Sequence, residues 1–170
     1  MLTGKEIEMS EIVFVDVDGT LSVPIYKKNG ADVIGFSPEE WLKYCIQNGE
    51  DTYQYCKPVA AVKKYAQKRK REGAVLYVLT TSKTSFETKA KEKFTERYYP
   101  GLFEEVIAVA SDEMKLPVML SVAEKYGVRP EKCELVEDTF STLLQIMQSG
   151  IRPVHISHLL ADPLCTEVLP

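Results

Sequence analysis

Ile12 to Leu21 reads I-V-F-V-D-V-D-G-T-L, an apolar run that stops abruptly in two carboxylates, a glycine and a hydroxyl. Four consecutive apolar residues fit a central strand covered on both faces better than a strand with one face in water. Side chains two apart on a strand point the same way, so Asp16 and Asp18, at the carboxyl end and in its turn, can converge on one point. Gly19 permits a sharp turn past the second acid and leaves backbone amides open to an anion. Two carboxylates that close repel unless a cation or a proton sits between them. The pair therefore implies either a divalent metal site or acid and base roles with split pKa values. The competing reading is a plain Asp-Gly hairpin, which needs a partner strand straight afterwards. Ser22 to Asn29, with Pro24 and two lysines, reads instead as a loop.

The rest of the chain alternates between two periodicities. Ser37-Pro38-Glu39-Glu40 is a helix start, with a capping serine, proline at the first helical position and acids in the first turn; the helix runs through Gln47 and ends near Gly49. Pro58 opens a second helix to about Glu72, with Val59, Val62, Tyr65 and Ala66 on one face, closed by Gly73. Ala74 to Leu79 is a buried strand ending at Thr80, Thr81 and Ser82. A helix over Ser85 to about Tyr99 is broken by Pro100-Gly101. Glu105 to Ala110 (strand), Pro117 to Tyr126 (helix), Cys133 to Val136 (strand), Thr139 to Gln148 (helix) and Arg152 to Ile156 (strand) complete the pattern. Strands alternating with helices predict a parallel sheet with right-handed crossovers, hence a three-layer α/β/α sandwich whose ligands lie at the carboxyl ends of the strands. Asp16/Asp18, Thr80/Thr81, Lys115 and Glu137/Asp138 all fall at or just beyond that rim.

Composition narrows the function. At 170 residues and 45% hydrophobic, the chain suits one well-buried core. A net charge of -4 gives no overall pull toward nucleic acid or an anionic membrane. Residues 1–11 lack an apolar signal core, and no run approaches a membrane span, so a soluble, cytoplasmic protein is expected. Cys45, Cys56, Cys133 and Cys165 show no C-x-x-C pairing and read as free thiols. His155 and His158 lie far along the chain and read as loop or surface residues.

Asp16-Val17-Asp18-Gly19-Thr20-Leu21 resembles the first motif of the haloacid dehalogenase-like (HAD) hydrolases, most of which are magnesium-dependent phosphatases. Thr80 at a strand end matches the second motif, Lys115 in M-K-L-P the third, and Glu137-Asp138 in L-V-E-D-T the fourth. The resemblance implies a Rossmann-like five-stranded parallel sheet ordered 5-4-1-2-3, a single HAD-like domain over 1–170 and a small cap-like insert at about 22–57. It further implies that Asp16 attacks phosphorus to form an aspartyl-phosphate, while Asp18 first protonates the leaving group and then activates water. Thr80 and Thr81 would bind phosphate with Lys115. Mg2+ would be held by Asp16, the backbone carbonyl of Asp18 and Asp138, with Glu137 close by. Two departures from the family pattern stand out: Leu116 intervenes between the motif lysine and Pro117, which leaves Lys83 as a competing lysine, and Thr139 to Leu143 contains no further acid, so the metal shell leans on Glu137.

A phosphorylated small molecule is the expected substrate. A nucleic-acid end or a phosphoprotein reaching an open site, a partner subunit covering that site, and a catalytically silent binding module are the alternatives. A receiver domain would need its phosphoaccepting aspartate at the end of the third strand, where Val109-Ala110 stands. Within the insert, Tyr26 and Phe36, in looplike sequence, are the candidates for substrate specificity, whereas Trp41 and Tyr44 can equally pack the insert onto the core.

Overall fold

The computed structural model describes residues 11–161. Cys165 and the reading of residues 1–10 lie outside them. In chain order the elements are β1 (Ile12–Val15), β2 (Ser22–Val23), β3 (Tyr26–Lys28), β4 (Ala31–Val33), α1 (Pro38–Asn48), β5 (Lys57–Pro58), α2 (Ala60–Arg71), β6 (Val75–Thr81), α3 (Ser85–Tyr98), β7 (Val106–Val109), α4 (Lys115–Lys125), β8 (Cys133–Glu137), α5 (Phe140–Met147), β9 (Arg152–His155) and α6 (Ile156–Ala161). Five strands form a parallel sheet in the order β7-β6-β1-β8-β9. No described helix is long and apolar enough to cross a membrane.

β1 is buried at every residue because it occupies the middle of this sheet. Val13 and Val15 enter a core with Val62 and Ala66 of α2, Ala90 and Phe94 of α3, and Leu159 of α6. Ile12 and Phe14 enter a second core with Met119 and Ala123 of α4 and Leu143 and Ile146 of α5. Two helical layers thus cover the sheet, and strand alternation decides which layer each residue meets.

Several element bounds differ from the sequence reading for identifiable reasons. Lys57–Pro58 does not open a helix but pairs with Ser22–Val23 in antiparallel fashion, clipping the two ends of the insert together. α4 begins at Lys115, before Pro117, since the amides of a first helical turn have no intrahelical acceptor and proline costs nothing there. Tyr26–Lys28 and Ala31–Val33 form an antiparallel hairpin, so the stretch read as a loop is strand and turn. Its two-residue turn is Asn29-Gly30, both at positive φ (51° and 80°), the backbone that matches strand twist. An N-G pair is a strong hairpin signal, and it lay in plain view in the sequence.

Ser37 caps α1 reciprocally with Glu40 as a capping box. The helix directs Trp41 and Tyr44 toward the hairpin, where they close around Tyr26 at ring separations of 5.1 and 5.7 Å. Tyr26 is therefore buried at the centre of an aromatic cluster. A second anchor joins the insert to the main core: the Tyr53 ring lies 6.0 Å from that of Phe94, and Lys93 pairs with Asp51 at 2.6 Å.

Candidate active site

Asp16 follows β1 on the same side as Phe14 and so faces α4. Lys115, in the first turn of α4, places its ammonium 3.1 Å from Asp16 Oδ1, 2.6 Å from Glu137 Oε2 and 3.2 Å from Asp112 Oδ1. Asp16, Lys115 and Glu137 are all buried. Burial, and then the Glu137 charge, push the Asp16 carboxyl up to about 7, while Lys115 pulls the other way. Burial alone would depress the Lys115 ammonium, but Asp16 and Glu137 hold it above its ordinary value. The lysine thus stays cationic beside a carboxyl that takes a proton near neutrality.

Glu137 ends β8 with both oxygens engaged. Oε2 accepts from Lys115, and Oε1 accepts from the amides of Asp138 (3.0 Å) and Thr139 (3.1 Å). Asp138 is exposed and faces Gly19, whose φ of +73° and missing Cβ let the two loops meet: a Cβ there would lie 2.8 Å from Asp138 Cγ. Carboxylate oxygens of Asp16, Glu137 and Asp138 approach within 4.8 Å of one another, an all-oxygen donor set of the kind that suits a hard divalent cation.

Asp18 lies on the insert side. Its Oδ1 accepts from the Tyr53 hydroxyl at 2.6 Å, and its Oδ2 lies 2.8 Å from the Lys91 ammonium. Burial, and then the Asp18 charge, hold the Tyr53 phenol well above its ordinary value, so it remains a donor. Lys91, on α3, is fully buried; it also pairs with Glu87 at 3.1 Å and donates to the Thr80 hydroxyl and the Thr81 carbonyl. Burial opposes its charge, yet Asp18 and Glu87 keep it above the usual lysine value.

No family model matches this chain, and no curated protein matches its sequence. Solved structures do match. A phospho-aspartyl intermediate analogue of phosphoserine phosphatase aligns over 93% of this chain and 90% of that one, with a TM-score of 0.57 and 13% identity. A HAD-superfamily hydrolase of subfamily IA from Geobacter sulfurreducens aligns over 85% and 88%, with a TM-score of 0.56 and 14% identity. A HAD family enzyme from Bacteroides thetaiotaomicron, a magnesium complex, aligns over 91% and 100%, with a TM-score of 0.52 and 13% identity. The chain has the haloacid dehalogenase-like fold.

On this HAD-like fold the residues singled out from the sequence do not all meet. Asp16, Lys115, Glu137 and Asp138 come together, and Asp18 lies beside them with its side chain turned to Tyr53 and Lys91. Lys83, the competing lysine, is exposed and donates to the Ala110 carbonyl at 2.7 Å, whereas Lys115 contacts Asp16. The two threonines separate. β1 and β6 pair with Val15 opposite Val78, so Thr81, not Thr80, shares the Asp16 side of the sheet. Thr80 is fully buried on the other side beneath Lys91, which corrects its expected place at the phosphate. The Thr81 hydroxyl donates to Asp112 Oδ1 at 2.7 Å, next to Lys115. Phe36 lines a cleft beside Asp18, but Tyr26 reaches that cleft only as part of its buried floor, a correction to the looplike reading.

Sequence reasoning missed Lys91, Glu87, Tyr53 and Asp112. Glu87 and Lys91 stand four apart and Asp112 and Lys115 three apart, spacings that put each pair on one helical face. Nothing local says that α3 turns its pair inward. His155, a loop or surface residue by its place in the sequence, instead ends β9, and its Nε2 lies 3.1 Å from the Asp138 carbonyl, bracing the loop that carries this acid.

Proposed function

We propose that the protein is a magnesium-dependent phosphatase that hydrolyses a phosphate monoester through a phosphorylated Asp16. The observation that carries this reading is the buried contact between Asp16 and Lys115, 99 residues apart in sequence and 3.1 Å apart in space, at the carboxyl end of the central strand. Asp16 attacks phosphorus as the bond to the leaving oxygen breaks, and Asp18 gives that oxygen its proton. Asp18 then takes a proton from the water that displaces Asp16 from phosphorus. Lys115 offsets charge gathered between Asp16 and the phosphoryl oxygens, and the Thr81 hydroxyl, on leaving Asp112, donates to one of them. Mg2+ would be held by Asp16, Asp138 and the Asp18 backbone carbonyl; when bound it neutralises charge between the nucleophile and phosphate. Glu137, with both oxygens committed, fixes Lys115 and the Asp138 loop and lies behind the metal ligands as a support.

The direct test is hydrolysis of 4-nitrophenyl phosphate with and without Mg2+. EDTA is expected to stop turnover and leave the far-UV circular dichroism unchanged, because both cores are complete without the ion. Full activity in excess chelator would refute the metal requirement. Proton and metal compete for Asp16, whose carboxyl is raised to about 7, so magnesium binding should weaken as pH falls through that value. Between pH 8 and pH 6 the half-saturating Mg2+ concentration should rise about tenfold; a flat or opposite trend would show that no proton competes with the ion at Asp16.

Gly19→Ala should damage the site without removing any of its side chains. The substitution strains a residue at φ +73° and drives a methyl group into Asp138. Metal affinity is expected to fall by ~10-fold or more, in line with the loss of a supporting contact, as read by magnesium titration of activity. Unchanged affinity would mean that Asp138 does not bind the ion.

A further inference from the structure

Beside Asp18 the insert leaves an open cleft of ≈ 370 Å³, lined by Trp41, Phe36 and Ile34 together with Asp18, Glu87 and Asp138. It is the natural seat for the leaving group, since Asp18, the proposed proton donor, opens into it. Among the described residues no lysine or arginine lines it. The nearby cations are engaged elsewhere: Lys27 pairs with Asp32, Lys28 with Glu40 at 2.6 Å, and Lys83 with the Ala110 carbonyl at 2.7 Å. Lys91 is sealed behind Asp18 and Glu87, and Lys115 behind Asp16 and Glu137. Ile34 stands 84% exposed at the rim of this cleft.

We propose, on the basis of the phosphatase reading, that the substrate is a phosphate monoester whose leaving alcohol is flat and apolar and carries no second anionic group. The lining rings of Trp41 and Phe36 supply contact area and stacking for such a group. A carboxylate or second phosphate on the leaving group would have to give up water with no lysine or arginine in the cleft to receive it, since the Lys91 charge is already shared between Asp18 and Glu87. Nucleotides with further phosphates, sugar bisphosphates and phosphorylated carboxylic acids are disfavoured for the same want of a cationic partner, while a neutral or cationic substituent is accepted.

Three aryl phosphates with phenols of similar basicity test this: 4-methylphenyl, 4-(aminomethyl)phenyl and 4-carboxyphenyl phosphate, assayed with Mg2+ alongside acetyl phosphate. The carboxylate is expected to show kcat/KM lower by about tenfold or more, mainly through KM, with the neutral and cationic esters comparable. Ile34→Lys, at a position too exposed to disturb the fold, should raise kcat/KM for the carboxylate selectively. Equal values for the three esters, a preference for the carboxylate, or no selective gain in Ile34→Lys would overturn the proposal. Turnover of acetyl phosphate without any aryl ester would overturn it too, while leaving the phosphatase reading intact. Failure of all four substrates would overturn the phosphatase reading itself.

Discussion

Asp16→Asn should lower turnover of any phosphate monoester by at least ~10⁴-fold, the scale of losses when a member of a catalytic unit is removed. Asparagine has nearly the same shape but neither attacks phosphorus nor carries the charge that holds a divalent ion. The fold should survive, because Lys115 keeps Glu137 at 2.6 Å and Asp112 at 3.2 Å as partners. Asp16 is also a carboxyl that burial already biases toward its neutral form. Thermal unfolding of the metal-free variant should therefore match or exceed that of the parent. The decisive measurement is chemical: phosphate, or a fluoride analogue of it, should be trapped on Asp16 in the parent and nowhere in the variant. A trapped adduct on another residue would refute the assignment.

Lys91→Met is expected to have the largest effect on stability. The ammonium is fully buried and is the counter-charge for Glu87, which is itself buried, and for Asp18. Removing one member of a buried ionic group leaves the other charge uncompensated, at a cost of ~3–5 kcal/mol. For a chain of this size that lowers Tm by on the order of 10 °C. Activity should fall as well, since Asp18 would keep only the Tyr53 hydroxyl to orient it. Adding Glu87→Gln to Lys91→Met removes the stranded charge and should recover much of the stability while activity stays low. If Lys91→Met alone unfolds at the parent's temperature, the buried cation is not holding the insert side of the site together.

The Asp16/Lys115 contact and the Asp18/Lys91 contact divide the work between the two faces of the sheet. Lys115 reaches over from α4 and Lys91 from α3, so the two neighbouring acids of one motif are served by different helical layers. The insert enters the second arrangement directly through Tyr53, which ties it to Asp18, the proposed acid and base.

What the sequence determined by itself was everything governed by short-range rules. A four-residue apolar run followed by acids at spacing two specified a central strand and its functional end. Alternation of strands and helices specified a parallel sheet, and with it the rim where a ligand would lie. The Ser37 capping box marks the start of α1, and Asn29-Gly30, both at positive φ, marks the hairpin turn despite the lysines beside it. Tertiary structure decided the rest, because the deciding quantity was register or orientation. Thr80 and Thr81 are adjacent hydroxyls at one strand end, and only the pairing of β6 with β1 sends the second toward Asp16 and the first beneath Lys91. Lys91 reads as one basic residue among many on an amphipathic helix, and it becomes a buried counter-charge only because α3 packs that face against Asp18. A strand's period of two and a helix's of 3.6 say which residues share a side; packing against the remainder of the chain says which side faces the site.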